Sequence, residues 1–389
     1  LKIKDIIVGK KRRKHRNSRM HRITQNDLFT PDASHLGEDN KGREYNHLED
    51  YVYFYGTDGA MKAADILDGF SKDSGDVAIK WDGNPTVYYG REPDGTFVLV
   101  GKNGWGKRKS TSSEDLKDFI LNTGKGEEWR AEFANSMAVM FETVKKDFPQ
   151  DFQGYVYGDL LYHPGKPFET TNGSIVFTPN KVTYTVDASS DIGKKIATSK
   201  IGVTLHTVYP EFGSKQSSPI KDVSQFGSND VFVIGQTYVT HQPKVDTKIT
   251  DTIRSVASKN KSHIDGFLAP VKGLSDLDKI IYTFVNQLTK AKNLKDINTK
   301  GFFNWLANSK VSNNKQAKIA SMNDENPNSL AAIFELVNTI MAAKNDVIDQ
   351  LDDAPSDIIA TTAGERGGEG YVAQNSKTKL VPRHRWTPN

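Results

Sequence analysis

The chain has 389 residues, 36% hydrophobic and 26% charged, which suffices for one large or two moderate domains with cores of their own. It contains no cysteine, so disulfides, thiolate metal sites and a cysteine nucleophile are excluded. No run of about 18 apolar residues occurs, so no membrane span is expected, and the net charge of +4 is too mild to name a partner.

The opening stretch from Leu1 to Val8 is charged and too short in its apolar part for a secretory leader, and the missing initiator methionine suggests a processed chain. Lys10 to Arg22 is a basic block, either an electrostatic footprint for nucleic acid or a solvated tail. Residues 23–45, rich in Asp, Asn and Gly, read as an irregular linker, giving a basic N-terminal arm over 1–45. After Asp58-Gly59, the apolar positions Ala60, Ala63, Ala64, Ile66 and Leu67 recur at helical spacing and stop near Gly69.

Asp76 to Ile79 and Thr86 to Tyr89 read as strands, and Asp82-Gly83-Asn84-Pro85 between them carries turn residues. Lys80 therefore sits at a strand end on rigid backbone, beside a turn. A lysine with an ordinary pKa of ~10.4 is protonated at neutral pH, so a nucleophilic one needs burial or neighbouring positive charge. Lys-x-Asp-Gly alone also describes a surface lysine ahead of a hairpin turn. Next come a strand, Phe97 to Val100, and a glycine-rich basic loop, Gly101 to Lys109, whose glycines permit close backbone approach and whose lysines suit phosphates. No Gly-x-x-x-x-Gly-Lys-Ser/Thr loop is present, which leaves a P-loop mechanism unsupported.

Ser113 to Leu121 and Trp129 to Val144 read as helices, the second with Phe133, Met137, Met140 and Phe141 on its apolar stripe. Lys181 to Val186 and Ile201 to Tyr209 alternate as half-buried strands do. From about 250 to 355 the pattern turns helical, with one stripe through Leu277, Ile280, Ile281, Phe284 and Leu288 and another from Leu330 to Leu351. No internal repeat is visible.

Four segments in order carry a resemblance. Lys80-Trp81-Asp82-Gly83 resembles the adenylation motif of the covalent nucleotidyltransferases, the ATP-dependent DNA and RNA ligases and mRNA-capping enzymes. Tyr155 to Leu161 looks like their third motif, Gly368-Glu369-Gly370-Tyr371-Val372 like the fourth, and Lys377-Thr378-Lys379 like the fifth. His263-Ile264-Asp265-Gly266 competes for the fourth position, but Glu369 is preferred because a paired lysine motif follows it. In wording the chain is most similar to ligase-like proteins of large tailed phages.

The resemblance implies an α+β, ATP-grasp-like nucleotidyltransferase (ligase adenylation) domain of antiparallel sheets and helices, over 46–250 and 358–389, with an α-helical insertion at 251–357. It implies an ATP-dependent polynucleotide ligase, acting on RNA or DNA through a lysine-AMP intermediate and joining 5′-phosphate to 3′-hydroxyl ends. ATP and magnesium (Mg2+) are the implied small molecules, nucleic-acid ends the implied partner, and the cytoplasm, of a host cell if the chain is viral, the implied location. No oligomeric state is implied. Lys80 is then the nucleophile; Asp82, Asn84, Lys102, Asp159, Lys377 and Lys379 bind the nucleotide; and Glu369 and Asp159 hold the metal. Lys377 and Lys379 are expected to alternate on one strand and face the same side, with Lys379 the better placed. On the strand after the third motif, His206 and Tyr209 both remain open as the aromatic that stacks on the purine. The short tail after the fifth motif is expected to leave no room for a C-terminal OB-fold, favouring an RNA-ligase-like or minimal plan. Two alternatives stay open: transfer to another acceptor, and a non-catalytic nucleic-acid-binding or virion-associated relative.

Overall fold

The computed structural model describes residues 46–73, 75–123, 128–220 and 222–386, so the basic block and the linker lie outside the described residues. The chain is α+β, with three separate sheets and helices gathered mainly between residues 247 and 353. Among the described residues no helix is long and apolar enough to cross a membrane.

The first sheet is small. β1 (Asn46–His47), β15 (Thr378–Leu380), β14 (Tyr371–Ala373) and β2 (Val77–Ile79) lie in that order, β1 parallel to β15 and the others antiparallel. The second has β10 (Ser218–Pro219), β9 (Ile201–Tyr209), β5 (Gly154–Tyr162), β3 (Thr86–Arg91) and β4 (Phe97–Gly101) in order, with β11 (Val231–Ile234) parallel to the start of β9. The third runs β13 (Glu365–Arg366), β12 (Ile358–Thr362), β8 (Val182–Asp187), β7 (Ser174–Phe177) and β6 (Glu169–Thr171). Strands β2 and β3 thus belong to different sheets. The Asp82–Pro85 segment is a crossover between sheets and not the turn of a hairpin.

Helix α1 (Asp50–Phe70) contains the expected Ala60–Leu67 face but starts earlier, and it breaks at Gly56 (φ 61°, ψ −142°). The freed Thr57 amide donates to Asp265 Oδ1 at 2.9 Å, so the aspartate that competed with Glu369 is a helix-capping group. α2 (Ser113–Asn122), capped by the Ser112 side chain accepting from Asp115, and α3 (Glu128–Asp147) cover one face of the second sheet. A short α4 (Asp191–Thr198) leads into β9. The helical stretch comprises α5 (Thr247–Lys259), α6 (Lys261–Leu268), α7 (Leu277–Lys290), α8 (Thr299–Ala307), α9 (Asn313–Glu325) and α10 (Asn328–Asp353). Its apolar stripes do not close on themselves. Ile281, Phe284, Phe334 and Ile340 share one core with Ala63 and Leu67 of α1 and with Val77, Tyr371 and Leu380 of the first sheet. Each such buried aliphatic or aromatic side chain contributes about 1.5–3 kcal/mol, so the helices and the first sheet are held as one body.

Four charges lie inside that body. Lys344 Nζ on α10 donates to Glu49 Oε1 and Oε2 at 2.8 and 2.9 Å and to the Val381 carbonyl at 3.0 Å. Arg383 donates to both Asp50 carboxylate oxygens, and Tyr53 donates its hydroxyl to the same group. Glu49, Asp50, Lys344 and Arg383 are all at most 5% exposed. Removing one partner strands the other in a low dielectric, so Lys344→Met is expected to lose about 3–5 kcal/mol in urea unfolding. Glu49→Gln combined with Lys344→Met is expected to recover part of that loss; a single-variant cost within experimental error would show that the network does not carry this junction.

Candidate active site

Lys80 ends β2, and its amide donates to the Gly370 carbonyl at 2.9 Å, extending the β2–β14 ladder by one step. The register puts Ala78, Val372, Lys379 and His47 in one row across the first sheet, while Ile79, Tyr371 and Leu380 form the adjacent row against the helical core. Directly opposed residues share a face, and alternation places Lys80 on the face of Ala78 and Lys379. The same strand ends bring in Glu369, and Lys80 Nζ donates to Glu369 Oε1 across 289 positions of sequence.

The crossover then presses on the second sheet. A Cβ on Gly83 would lie 2.5 Å from the Asp159 Cβ, so only glycine lets the backbone pass this close. Asp82 is 3% exposed and its carboxylate accepts from Asn180 Nδ2 and the Lys181 and Val182 amides at 2.9–3.0 Å, while its own amide donates to the Tyr184 hydroxyl at 2.7 Å. Asp82 therefore ties the crossover to β8 of the third sheet. Asp159 accepts from Thr86 Oγ1 at 2.6 Å and is 3.1 Å from His206 Nε2.

Around Lys80 stand three carboxylates. Burial, the largest influence, pushes its ammonium down, but Glu369 together with Asp82 and Asp159 outweighs it, so the amine holds its proton more tightly than an ordinary lysine. Burial raises Glu369 above the usual carboxylate range; Lys80 opposes that shift, and Asp82 and Asp159 reinforce it. The pair is not sealed, since the Lys80 and Glu369 side chains keep 30% and 19% of their surface exposed. A ligand can reach both.

The other expected residues divide. Asn84 donates its amide to the Leu160 carbonyl at 2.8 Å and continues the β3–β5 pairing beside Asp159. Lys102 opens the turn after β4, one register step beyond the Val87–Gly101 pair, and so stands across from Thr86, the partner of Asp159. Lys379 lies on β15 in the Ala78 row, on the same face as Lys80. Lys377 does not share that strand: it sits in the β14–β15 turn at φ 51°, exposed, with its amide donating to the Gln374 carbonyl. The expected alternation of the two lysines on one strand is corrected accordingly. Of the two stacking candidates, His206 is the one that touches Asp159, and its ring lies 5.6 Å from that of Tyr157.

Several groups carry no local signal. His47 joins the Lys379 row, and burial together with Arg383, Lys344, Lys379 and Lys80 holds its imidazole neutral, well below its ordinary value; its Nδ1 is buried with no hydrogen-bond partner among the described residues. Lys290, at the end of α7, is lowered by burial and then by the nearby Arg383 and Lys181 cations. The helical stretch thus delivers a cation to the same rim as the β7–β8 turn. A small cleft between Pro85, Gly104, Phe119 and Met137 lies on the helix-covered side of the second sheet and has no charged side chain in its wall, so it does not suit phosphate.

Among the described residues no three His, Asp or Glu side chains group closely enough to hold a metal ion by themselves. Magnesium typically takes one or two carboxylates and fills its octahedron with water and phosphate oxygens. Asp159 and Glu369 match that need.

The chain belongs to a family of unknown function (DUF6267), matched over residues 43–388. No curated protein and no solved structure matches it.

The opposition between burial and ion pairing at Lys80 is directly measurable. In Glu369→Gln the main group raising the amine is gone and burial prevails, so the Lys80 midpoint, followed by carbon-13 NMR of reductively methylated lysines, is expected to fall below the wild-type value. An unchanged midpoint would show that the two side chains do not pair in solution.

Proposed function

We propose that the chain is an ATP-dependent polynucleotide ligase whose Lys80 becomes covalently adenylylated, built on an ATP-grasp-like adenylation fold. The observation that carries this reading is the meeting of Lys80 with Glu369, beside Asp159 and Lys379, from motifs far apart in sequence. In the first step the neutral Lys80 amine attacks the α-phosphorus of ATP. A P–N bond forms, the bond from the α-phosphorus to the bridging oxygen breaks, and pyrophosphate leaves with that electron pair. A 5′-phosphate oxygen then takes AMP from Lys80, and a 3′-hydroxyl displaces AMP to join the ends.

Each side chain has a task consistent with its place. Lys80 must give up both its proton and its partner: once Glu369 turns to another ligand, burial is opposed only by the weaker pull of Asp82 and Asp159, and the amine's affinity for a proton falls. Glu369 and Asp159 are the residues that would hold magnesium, whose chemistry here is neutralisation of phosphate charge. Lys379 and Lys102 would steady phosphate oxygens, and Asp82 keeps the crossover in position. Such chemistry asks the protein chiefly for positioning and charge compensation.

With ATP labelled at the α-phosphate and magnesium, wild type is expected to retain label on the protein through denaturing electrophoresis, and Lys80→Ala none. Lys379→Met is expected to slow labelling roughly 10²-fold, the usual cost of losing one preorganised donor to a developing anion. Unlabelled wild-type protein would overturn the proposal, and labelling without strand joining would redirect it to a different acceptor.

A further inference from the structure

The second sheet has two unlike faces. Val87, Tyr89, Leu99 and Val156 point into the core beneath α2 and α3. Tyr88, Val100 and Tyr155 point the other way, with Trp105, Tyr157, Tyr209 and Phe212 packed on them and only partly buried. Among the described residues no α-helix contributes a side chain to this cluster. Trp105 stacks on Tyr88 at 4.3 Å with the rings 14° from parallel, and stands edge-on to Tyr209 at 5.1 Å and Phe212 at 5.0 Å. The pairing of loops that builds this array is specified closely. Gly106 and Gly213 have φ of 69° and 75°, and a Cβ on Gly213 would lie 2.5 Å from the Gly106 Cα.

Two facts orient this surface. Tyr155, Tyr157 and Asp159 alternate along β5, whose pairing with β3 keeps register as far as Thr86–Asp159 while β9 shifts register after Tyr157, so the aromatic face leads to the carboxylate beside Lys80. Lys107 lies exposed on the loop that carries Trp105; beside it Lys109 Nζ, 5.2 Å from the Phe212 ring, is held by Glu92 at 2.8 Å, while Arg108 pairs with Asp115 and turns toward Phe119 of α2. Aromatic rings edged by Lys107 and Lys109 match unpaired bases on a phosphate backbone; a duplex hides its base faces, and an acidic peptide has no use for the rings.

We infer that the Trp105–Tyr209–Phe212 face and its basic loop bind single-stranded nucleic acid and lead it to Asp159 and Lys80. The inference deepens the ligase reading by naming a single strand as what is delivered to that site, yet binding here requires neither ATP nor Lys80, so the two are tested apart. Anisotropy of labelled DNA and RNA oligonucleotides of about 12 nucleotides, a length within the range such surfaces cover, measures it. Wild type is expected to bind single strands of either sugar in preference to duplex, and Trp105→Ala and Tyr209→Ala to weaken binding roughly tenfold, while Trp105→Phe retains most of it. Lys107→Glu, a surface change with no packing role, is expected to flatten the salt dependence. Self-labelling by ATP and thermal unfolding of the same proteins separate a binding defect from a folding one. Equal or tighter binding of duplex, aromatic variants that bind as wild type, or equal binding of a polyglutamate peptide would overturn the inference. Loss of ATP labelling with strand binding intact would instead sink the ligase reading alone.

Discussion

The buried quartet of Glu49, Asp50, Lys344 and Arg383 is the constraint on which the candidate site rests. It joins the start of α1, the middle of α10 and the segment after β15, three pieces that no local preference brings together. Moving four charges out of water costs several kcal/mol per ion even after relaxation, and well-packed apolar side chains often do as well or better. The network is therefore weak evidence of extra stability. Its clearest effect is on position: each carboxylate has two or more donors, and a shifted register would leave a buried charge unanswered. β1 pairs with β15, and β15 with β14, so fixing residues 49, 50 and 383 fixes Lys379 and the entry of Glu369.

The Lys80–Glu369 pair is made of the same chemistry under opposite conditions. Lys344 is sealed at 1% exposure and bonded to three oxygens, whereas the Lys80 side chain keeps 30% of its surface and faces a carboxylate that is itself accessible. A sealed pair is held for the life of the fold, while an open one exchanges partners at modest cost. Burial and ion pairing pull the Lys80 proton in opposite directions. Small changes at Glu369 therefore decide the state of the amine.

Elements with strong local periodicity were legible in the sequence: the Glu128–Asp147 helix, the Ile201–Tyr209 strand and the apolar stripes of α7 and α10. What depends on distant partners was not. The crossover at Asp82–Pro85 has the composition of a hairpin turn, and only the third sheet, through Asn180 and Tyr184, shows why the chain changes sheets there. α1 appears to begin at Asp58-Gly59 because the break at Gly56 interrupts the pattern, and the cap for that break comes from Asp265, 208 positions on. Lys377 and Lys379 satisfy a two-residue alternation on paper. The first falls in a left-handed turn, which spacing cannot reveal. His47 and Lys290 join the site by register and packing, and neither has a neighbour in sequence that marks it.

The distribution of charge in the cleft has a logic of its own. Asp82, Asp159 and Glu369 form the floor around Lys80, with Lys166 near Asp82; burial raises Glu369, and the two other carboxylates add to that. Lys181, whose amide meets Asp82, and Lys290 form an exposed rim, and Lys290 is close enough to Arg383 and Lys181 to be repelled by both. Charges of one sign held together relax when an ion of the other sign arrives, and both halves of this site are strained in that sense. In the ligase reading proposed above, a phosphate chain would answer the rim and a divalent cation the floor, each supplying the charge that the other half lacks. A nucleoside triphosphate carried with its magnesium has this paired character, whereas a free carboxylate or an isolated metal ion satisfies only half of it.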